Sequence, residues 1–290
     1  MNQSTELRAA YGFCHQRVAA HYENFPVASW LLPRHLRGPV AAIYCFARTA
    51  DDLADEDPRP VPERRADLEA MRAHILELES PEAESEPEWK ALADACQRHA
   101  LPVQPFSDLI DAFIQDLDQK RYATFGEVME YCRRSANPVG RLLLHLYTNP
   151  SDEMLGHSDA ICSALQLINF YQDLRQDLEE NDRIYLPQED MARYGVSETL
   201  LASGVTSLPL RNLMQFQYAR ADRLLRAGAP LGGMLGGRMG LEVRAIVNAG
   251  ARVLWRLRQQ DDVFARPRLR PRDKWIVLRQ SLFPRRRHRA

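Results

Sequence analysis

Apolar residues recur along this chain at intervals of three and four, the spacing of one face of an α-helix. The strict alternation of a half-buried strand is scarce. Ala, Leu, Arg, Glu and Gln, all good helix formers, are abundant. The pattern predicts helices at about 5–22, 38–56, 61–79, 86–99, 106–119, 124–133, 136–148, 157–180, 197–203, 208–228, 239–262 and 271–282. Pro33, Pro39, Pro58, Pro60, Pro62, Pro102, Pro138 and Pro150 punctuate them. The connector ESPEAESEPE (79–88) is acidic and broken by proline, but too short to mark a domain boundary. The stretch GAPLGGMLGGRMG (228–240) reads as a loop between two late helices, and it fits neither GxGxxG after a strand nor a GxxxxGK[ST] phosphate loop. No repeat of about 30–45 residues is present, which speaks against a helical solenoid. The expectation is an all-α chain forming a single domain over 1–290, with a basic tail at about 284–290.

Composition changes this picture little. Of 290 residues 45% are hydrophobic and 27% charged, as in ordinary globular proteins, and the net charge of −1 does not suggest nucleic acid as a partner. Basic charge gathers only late, in RPRLRPRDK (266–274) and PRRRHRA (284–290). Such a tail serves solubility, or it meets an anionic surface such as membrane headgroups or a phosphate group. Cys14, Cys45, Cys96, Cys132 and Cys162 form no CxxC pair, and three of them sit in apolar runs. They read as free thiols in a reducing cytosol, without structural zinc. The first residues lack the apolar core of a signal peptide, and no run approaches the roughly 20 apolar residues of a membrane helix. A cytoplasmic protein is expected, with peripheral contact to the inner face of the membrane as an option.

Candidate chemistry begins at CFARTADDLADE (45–56), which follows the apolar run VAAIYCFA (40–47) and crowds four acids into its last six positions. On a helix, positions i and i+4 lie about 40° apart, so Asp51 and Asp55 share a face that runs back through Ala47 and Ile43. The neighbouring stripe is Tyr44, Arg48, Asp52. Acids near a helix C-terminus oppose its dipole by about 0.3–1 kcal/mol each and need compensation, from Arg48 or from a divalent cation. An acidic patch on a wet face is the plain alternative. A second stretch, ALQLINFYQDLRQDLEEND (164–182), repeats the gradient, with Asn169, Asp173 and Asp177 at i, i+4 and i+8 beyond Leu165 and Ile161. Carboxylate and amide oxygens suit Mg²⁺, which binds best through a few carboxylates plus substrate phosphates. Two such open half-sites facing each other would hold a diphosphate, and the apolar stretches behind them a long hydrocarbon. Together these describe a prenyl diphosphate.

AIYCFARTADDLAD and LQLINFYQDLRQDLEENDRIYLPQED resemble the squalene and phytoene synthases. HYENFPVASWLLP (21–33), EYCRRSANPVG (130–140) and RIYLPQE (183–189) extend the resemblance over roughly residues 10–280. It implies an all-α, single-domain trans-prenyl synthase-type helical bundle around a central cavity. It further implies that Asp51, Asp55, Asn169, Asp173 and Asp177 are magnesium ligands, with Asp52 a ligand or just behind one. By the same resemblance Tyr44, Arg48, His21, Asn24, Arg183 and Tyr185 contact the diphosphate, and Arg268 by a looser match. Tyr44 and Tyr185 also read plainly as core aromatics with a wet hydroxyl.

Two departures point to a branch. HYENF stands where the family usually reads HSKSF, and SANPVG where it usually reads VAG-x-VG. These variants resemble the hydroxysqualene synthases within the family, which imply conversion of presqualene diphosphate and water to hydroxysqualene and diphosphate in hopanoid biosynthesis. That chemistry uses Mg²⁺ and no NADPH, beside other enzymes of squalene formation. Asn137, Asn24, His21 and Tyr44 are the candidates to hold the quenching water, while Asn137 also suits a helix N-cap before Pro138. The alternatives are a prenyl transferase condensing two farnesyl or geranylgeranyl diphosphates, a terpene cyclase, and a non-catalytic helical relative. RIYLP and the HYENF segment speak against the cyclase, and two intact acidic motifs against the non-enzyme.

Overall fold

The computed structural model describes residues 3–20, 32–78 and 80–283. Among them lie fifteen α-helices and no strand beyond one isolated bridge, Arg121 to Ile184. The all-α expectation holds. No helix among the described residues is long and apolar enough to cross a membrane. The backbone packs into two compact units, 1–118 with 138–151, and 119–137 with 152–290.

The first unit holds α1 (Gln3–Ala20), α2 (Arg37–Asp51), α3 (Val61–Leu76), α4 (Pro87–His99) and α5 (Gln104–Asp116). α2 is its axis and packs on α1, α4 and α5. Its small residues Ala41, Ala42, Cys45 and Ala50 are buried, so neighbouring helices come close. Phe46 fills the remaining space, edge-on to Trp89 (5.8 Å) and Phe106 (5.2 Å). Gly38 lets the start of α2 pass the Tyr11 ring, since a Cβ there would meet the ring at 3.1 Å.

The second unit holds α6 (Phe125–Ser135), α8 (Asp152–Gln172), α9 (Leu174–Asn181), α10 (Gln188–Tyr194), α11 (Glu198–Ala202), α12 (Leu208–Gly228), α13 (Leu231–Met234), α14 (Gly237–Gln259) and α15 (Pro271–Leu282). The division falls inside α7 (Asn137–Tyr147), after its first residue. α8 packs on α6, α12 and α14. At Gly228 a Cβ would come within 2.6 Å of the His157 carbonyl, so glycine permits a close approach of α12 to α8.

Three departures from the predicted elements have local causes. The helix expected over 157–180 starts at Asp152 and breaks at Asp173 into α8 and α9. The helix expected over 38–56 is α only to Asp51, and π-helical over Asp52–Glu56. The segments 188–194 and 231–234, read as non-helical, form α10 and α13. α10 is tied to α12 by buried Asp190, which accepts from Gln217 (2.9 Å) and pairs with Arg220. Its apolar spacing is too brief to announce a helix.

Candidate active site

Both acidic motifs sit where a helix loses α geometry. In the first, the Asp57 N–H donates to the Asp52 carbonyl at 2.9 Å, five residues back, which widens the helix over the acids. Such π-turns are rare and recur at functional sites. Arg48 is the hub of this half-site. It donates to Asp51 (2.9 Å), lies 2.6 Å from Asp52 through Nε, and pairs with Glu56. Arg17 of α1 adds a second cation, donating to Asp52 at 2.8 Å. Asp55 stands on the exposed side. Burial, with repulsion from Asp55, Asp52 and Glu56, raises the Asp51 carboxyl to about 6 against the pull of Arg48. Tyr44, one turn before Arg48, is half-buried, and burial raises its hydroxyl.

In the second motif the break at Asp173 keeps the register of the predicted stripe. The Asp173 N–H donates to the Asn169 carbonyl (2.9 Å), and the Asp177 N–H to the Asp173 carbonyl (2.8 Å). Asn169, Asp173 and Asp177 thus remain four residues apart along one helical path although two helices carry them. Burial raises the Asp173 carboxyl while Arg266 opposes it, with Nε 2.6 Å from Oδ1 and Nη2 donating to Oδ2 at 3.2 Å. The basic run after α14 therefore reaches the motif through Arg266. Arg268, the residue expected there, is exposed two positions on.

RIYLP is tied down by backbone bonds. The Arg183 N–H donates to the Asp177 carbonyl (2.9 Å), and the Ile184 N–H to the Lys120 carbonyl (3.0 Å). The turn between α9 and RIYLP needs a left-handed residue at Asp182 (φ 50°), and Arg121 steadies it through the Asp182 carboxylate at 2.8 Å. Arg183 is buried here. Tyr185 stacks on Phe170, the residue after Asn169, at 3.6 Å between centroids and 5° between planes, with Tyr122 and Tyr131 beside it. The aromatic reading of Tyr185 thus describes its packing, and its partners place an aromatic cluster one residue from a candidate ligand.

Asn137 opens α7 and is 6% exposed, its Oδ1 accepting from the Ser163 hydroxyl at 2.8 Å. His21 and Asn24 lie outside the described residues, as does the tail at 284–290. A cavity of about 590 Å³ opens beside Tyr11, Lys90, Asp94 and Arg98, and no motif residue lines it.

Sequence reasoning missed Arg17, Arg266 and the Phe170–Tyr185 stack. Arg266 lies in a basic run that is visible in the sequence, but alternating Arg and Pro do not say which guanidinium turns inward. Arg17 carries no local signal, since its partner is 35 residues away. The donor set fits Mg²⁺: every candidate ligand offers hard oxygen, and the negative charge is enough to draw three arginines. Among the described residues no three His, Cys, Asp or Glu side chains converge as a closed metal site.

Comparison with known proteins shows the family of the chain. A family model for squalene/phytoene synthase matches residues 18–275. The chain is 34% identical over 273 residues to a hydroxysqualene synthase of Rhodopseudomonas palustris, covering 93% of this chain and 89% of that one. It is 33% identical over 219 residues to a phytoene synthase of Mycobacterium bovis, covering 76% and 71%. The crystal structure of squalene synthase HpnC from Alicyclobacillus acidocaldarius superposes with a TM-score of 0.82 at 32% identity, covering 88% of this chain and 95% of that one.

Proposed function

Because the chain belongs to the squalene/phytoene synthase family, we propose that it converts presqualene diphosphate and water to hydroxysqualene and diphosphate. The observation that carries the reading is the pair of oxygen-donor motifs, each already loaded with arginine. Asp51, Asp52 and Asp55 form one donor set, and Asn169, Asp173 and Asp177 the other. Bound there, Mg²⁺ would neutralise the charge of the departing diphosphate. Arg48 and Arg266 stand beside those carboxylates. Once a cation shares the carboxylate charge, their guanidinium groups are free to turn toward phosphate oxygens. Arg183, Tyr44, His21 and Asn24 complete the set of proposed diphosphate contacts.

Departure of diphosphate leaves a carbocation that must not meet water early. The Phe170–Tyr185 pair, one residue from Asn169, would supply apolar, π-rich surface beside the leaving group. The quench then needs one ordered water with two to four polar partners. Asn137 is suited to hold it, because Ser163 occupies its Oδ1 and leaves the amide as a donor. The similarity to the Rhodopseudomonas palustris hydroxysqualene synthase supports a hydroxylated product.

The phytoene synthase relative favours a second reading, a transferase that condenses two prenyl diphosphates head to head. Incubation with Mg²⁺ and either presqualene or farnesyl diphosphate, without NADPH, separates the two. The proposed activity gives hydroxysqualene from presqualene diphosphate. The transferase accumulates presqualene diphosphate or a hydrocarbon from the shorter substrate.

A further inference from the structure

α15 packs on α14 largely through polar groups. Its polar side faces α14, where Asp273 is fully buried between Arg252 (2.5 Å) and Arg256 (2.5 Å). Two turns on, the buried Ser281 hydroxyl accepts from Asn248 (3.0 Å), and the Ser281 carbonyl accepts from Arg244 (3.0 Å). Ile276 and Val277 are half-buried, but the remaining large apolar residues face solvent. Trp275 is 72% exposed, Leu278 46% and Leu282 49%, and Phe283 follows at 74%. Trp275, Leu278 and Leu282 stand at i, i+3 and i+7, within about 60° on the helix surface. On α14 Trp255, 45% exposed, stacks on the Arg252 that holds Asp273. A helix that uses its polar groups for packing and leaves Trp, Leu and Phe in water is an unfinished surface.

The surrounding charge identifies what completes it. Residues 264–290 contain ten lysines and arginines and a single acid, Asp273, which is already paired. Lys274 and Arg279 flank the apolar stripe on the helix itself, and both are exposed. A second copy of the same surface would bring like charges together, which opposes a two-fold dimer through this face. An anionic bilayer supplies what the surface lacks, with negative headgroups for the cations and an interfacial layer that favours tryptophan. We propose that the Trp275–Leu278–Leu282–Phe283 face docks on the surface of an anionic lipid bilayer, with Lys274 and Arg279 reaching the headgroups. The inference is independent of the reaction proposed above, and its test uses no prenyl substrate.

The test is co-sedimentation of the full chain with vesicles of phosphatidylcholine, with or without phosphatidylglycerol, at low and high salt. The parent should partition onto the anionic vesicles and be weakened by salt. The triple variant Trp275→Ser, Leu278→Ser, Leu282→Ser should keep its circular dichroism and melting temperature and lose roughly tenfold or more of the partitioning. Lys274→Glu with Arg279→Glu should weaken binding to phosphatidylglycerol vesicles specifically. A triple variant that partitions like the parent overturns the proposal, since the tail alone would then carry the binding. A parent that ignores vesicles also overturns it, including one that sediments as a dimer which the triple variant abolishes.

Discussion

Arg266 Nε lies 2.6 Å from Asp173 Oδ1, joining the basic segment after α14 to the second acidic motif across 93 residues of chain. The pair is partly exposed, so its direct worth to stability is about 0–1 kcal/mol. Its proposed value is positional, placing a guanidinium beside a carboxylate that shares a cation. Arg266→Ala should therefore melt within a few degrees of the parent. A charged hydrogen bond to phosphate is worth about 1.5–3 kcal/mol, so kcat/KM should fall about 10- to 100-fold. Arg268→Ala should change kcat/KM far less. Steady-state kinetics of the two variants side by side check this.

The carboxylates themselves should matter more. Asp51→Asn and Asp173→Asn keep size and helical fold but remove a negative oxygen from each half-site. Each is expected to retain its circular dichroism and lose about 100-fold or more of its diphosphate release. Parent-like turnover by either variant at saturating Mg²⁺ would remove that residue from the metal assignment.

Asn137→Ala leaves the buried Ser163 hydroxyl without its acceptor, which costs about 1–3 kcal/mol. The melting temperature should fall by about 2–4 °C for each of those kcal/mol. Ser163→Ala, which leaves the buried Asn137 Oδ1 without its donor, should cost a similar amount. Only Asn137→Ala should turn products toward eliminated or rearranged hydrocarbons, because ionisation precedes the quench. Product ratios and diphosphate release, measured in the same reaction, separate the packing effect from the chemical one.

Burial tends to raise Asp273, but hydrogen bonds from Arg252, from the Arg270 N–H and from Arg256 outweigh it and hold the carboxyl at about 2. A depressed carboxyl contributes stability above its unfolded value, near 3.9, and loses it as pH falls toward about 2. The hold of α15 on α14 should weaken within that window. Asp273→Asn should melt lower than the parent at neutral pH, and the gap should close as pH drops from about 4 to about 2. Melting curves over that range check the sign.

The helices were legible because their faces repeat over three or more turns, as in α2, α5 and α12. α10 was not, since a seven-residue helix has too few apolar positions and hangs on the buried Asp190 contact to α12. The contact of Arg48 with the first motif was legible from i, i+3 and i+4 spacing. The π-turn over Asp52–Glu56 and the break at Asp173 were not, because the residues themselves are compatible with a continuing α-helix. The packing of α15 was hidden for a related reason. An amphipathic pattern reports two faces but not which one is buried, and here the arginines of α14 draw Asp273 inward and leave Trp275 and Leu278 outside.

The nature of the product tests the account most directly. Presqualene diphosphate, supplied with Mg²⁺ in H₂¹⁸O and without nicotinamide, should yield hydroxysqualene carrying ¹⁸O in its hydroxyl, together with diphosphate. Squalene formed only on addition of NADPH, or farnesyl diphosphate consumed to give presqualene diphosphate as the end product, would contradict it.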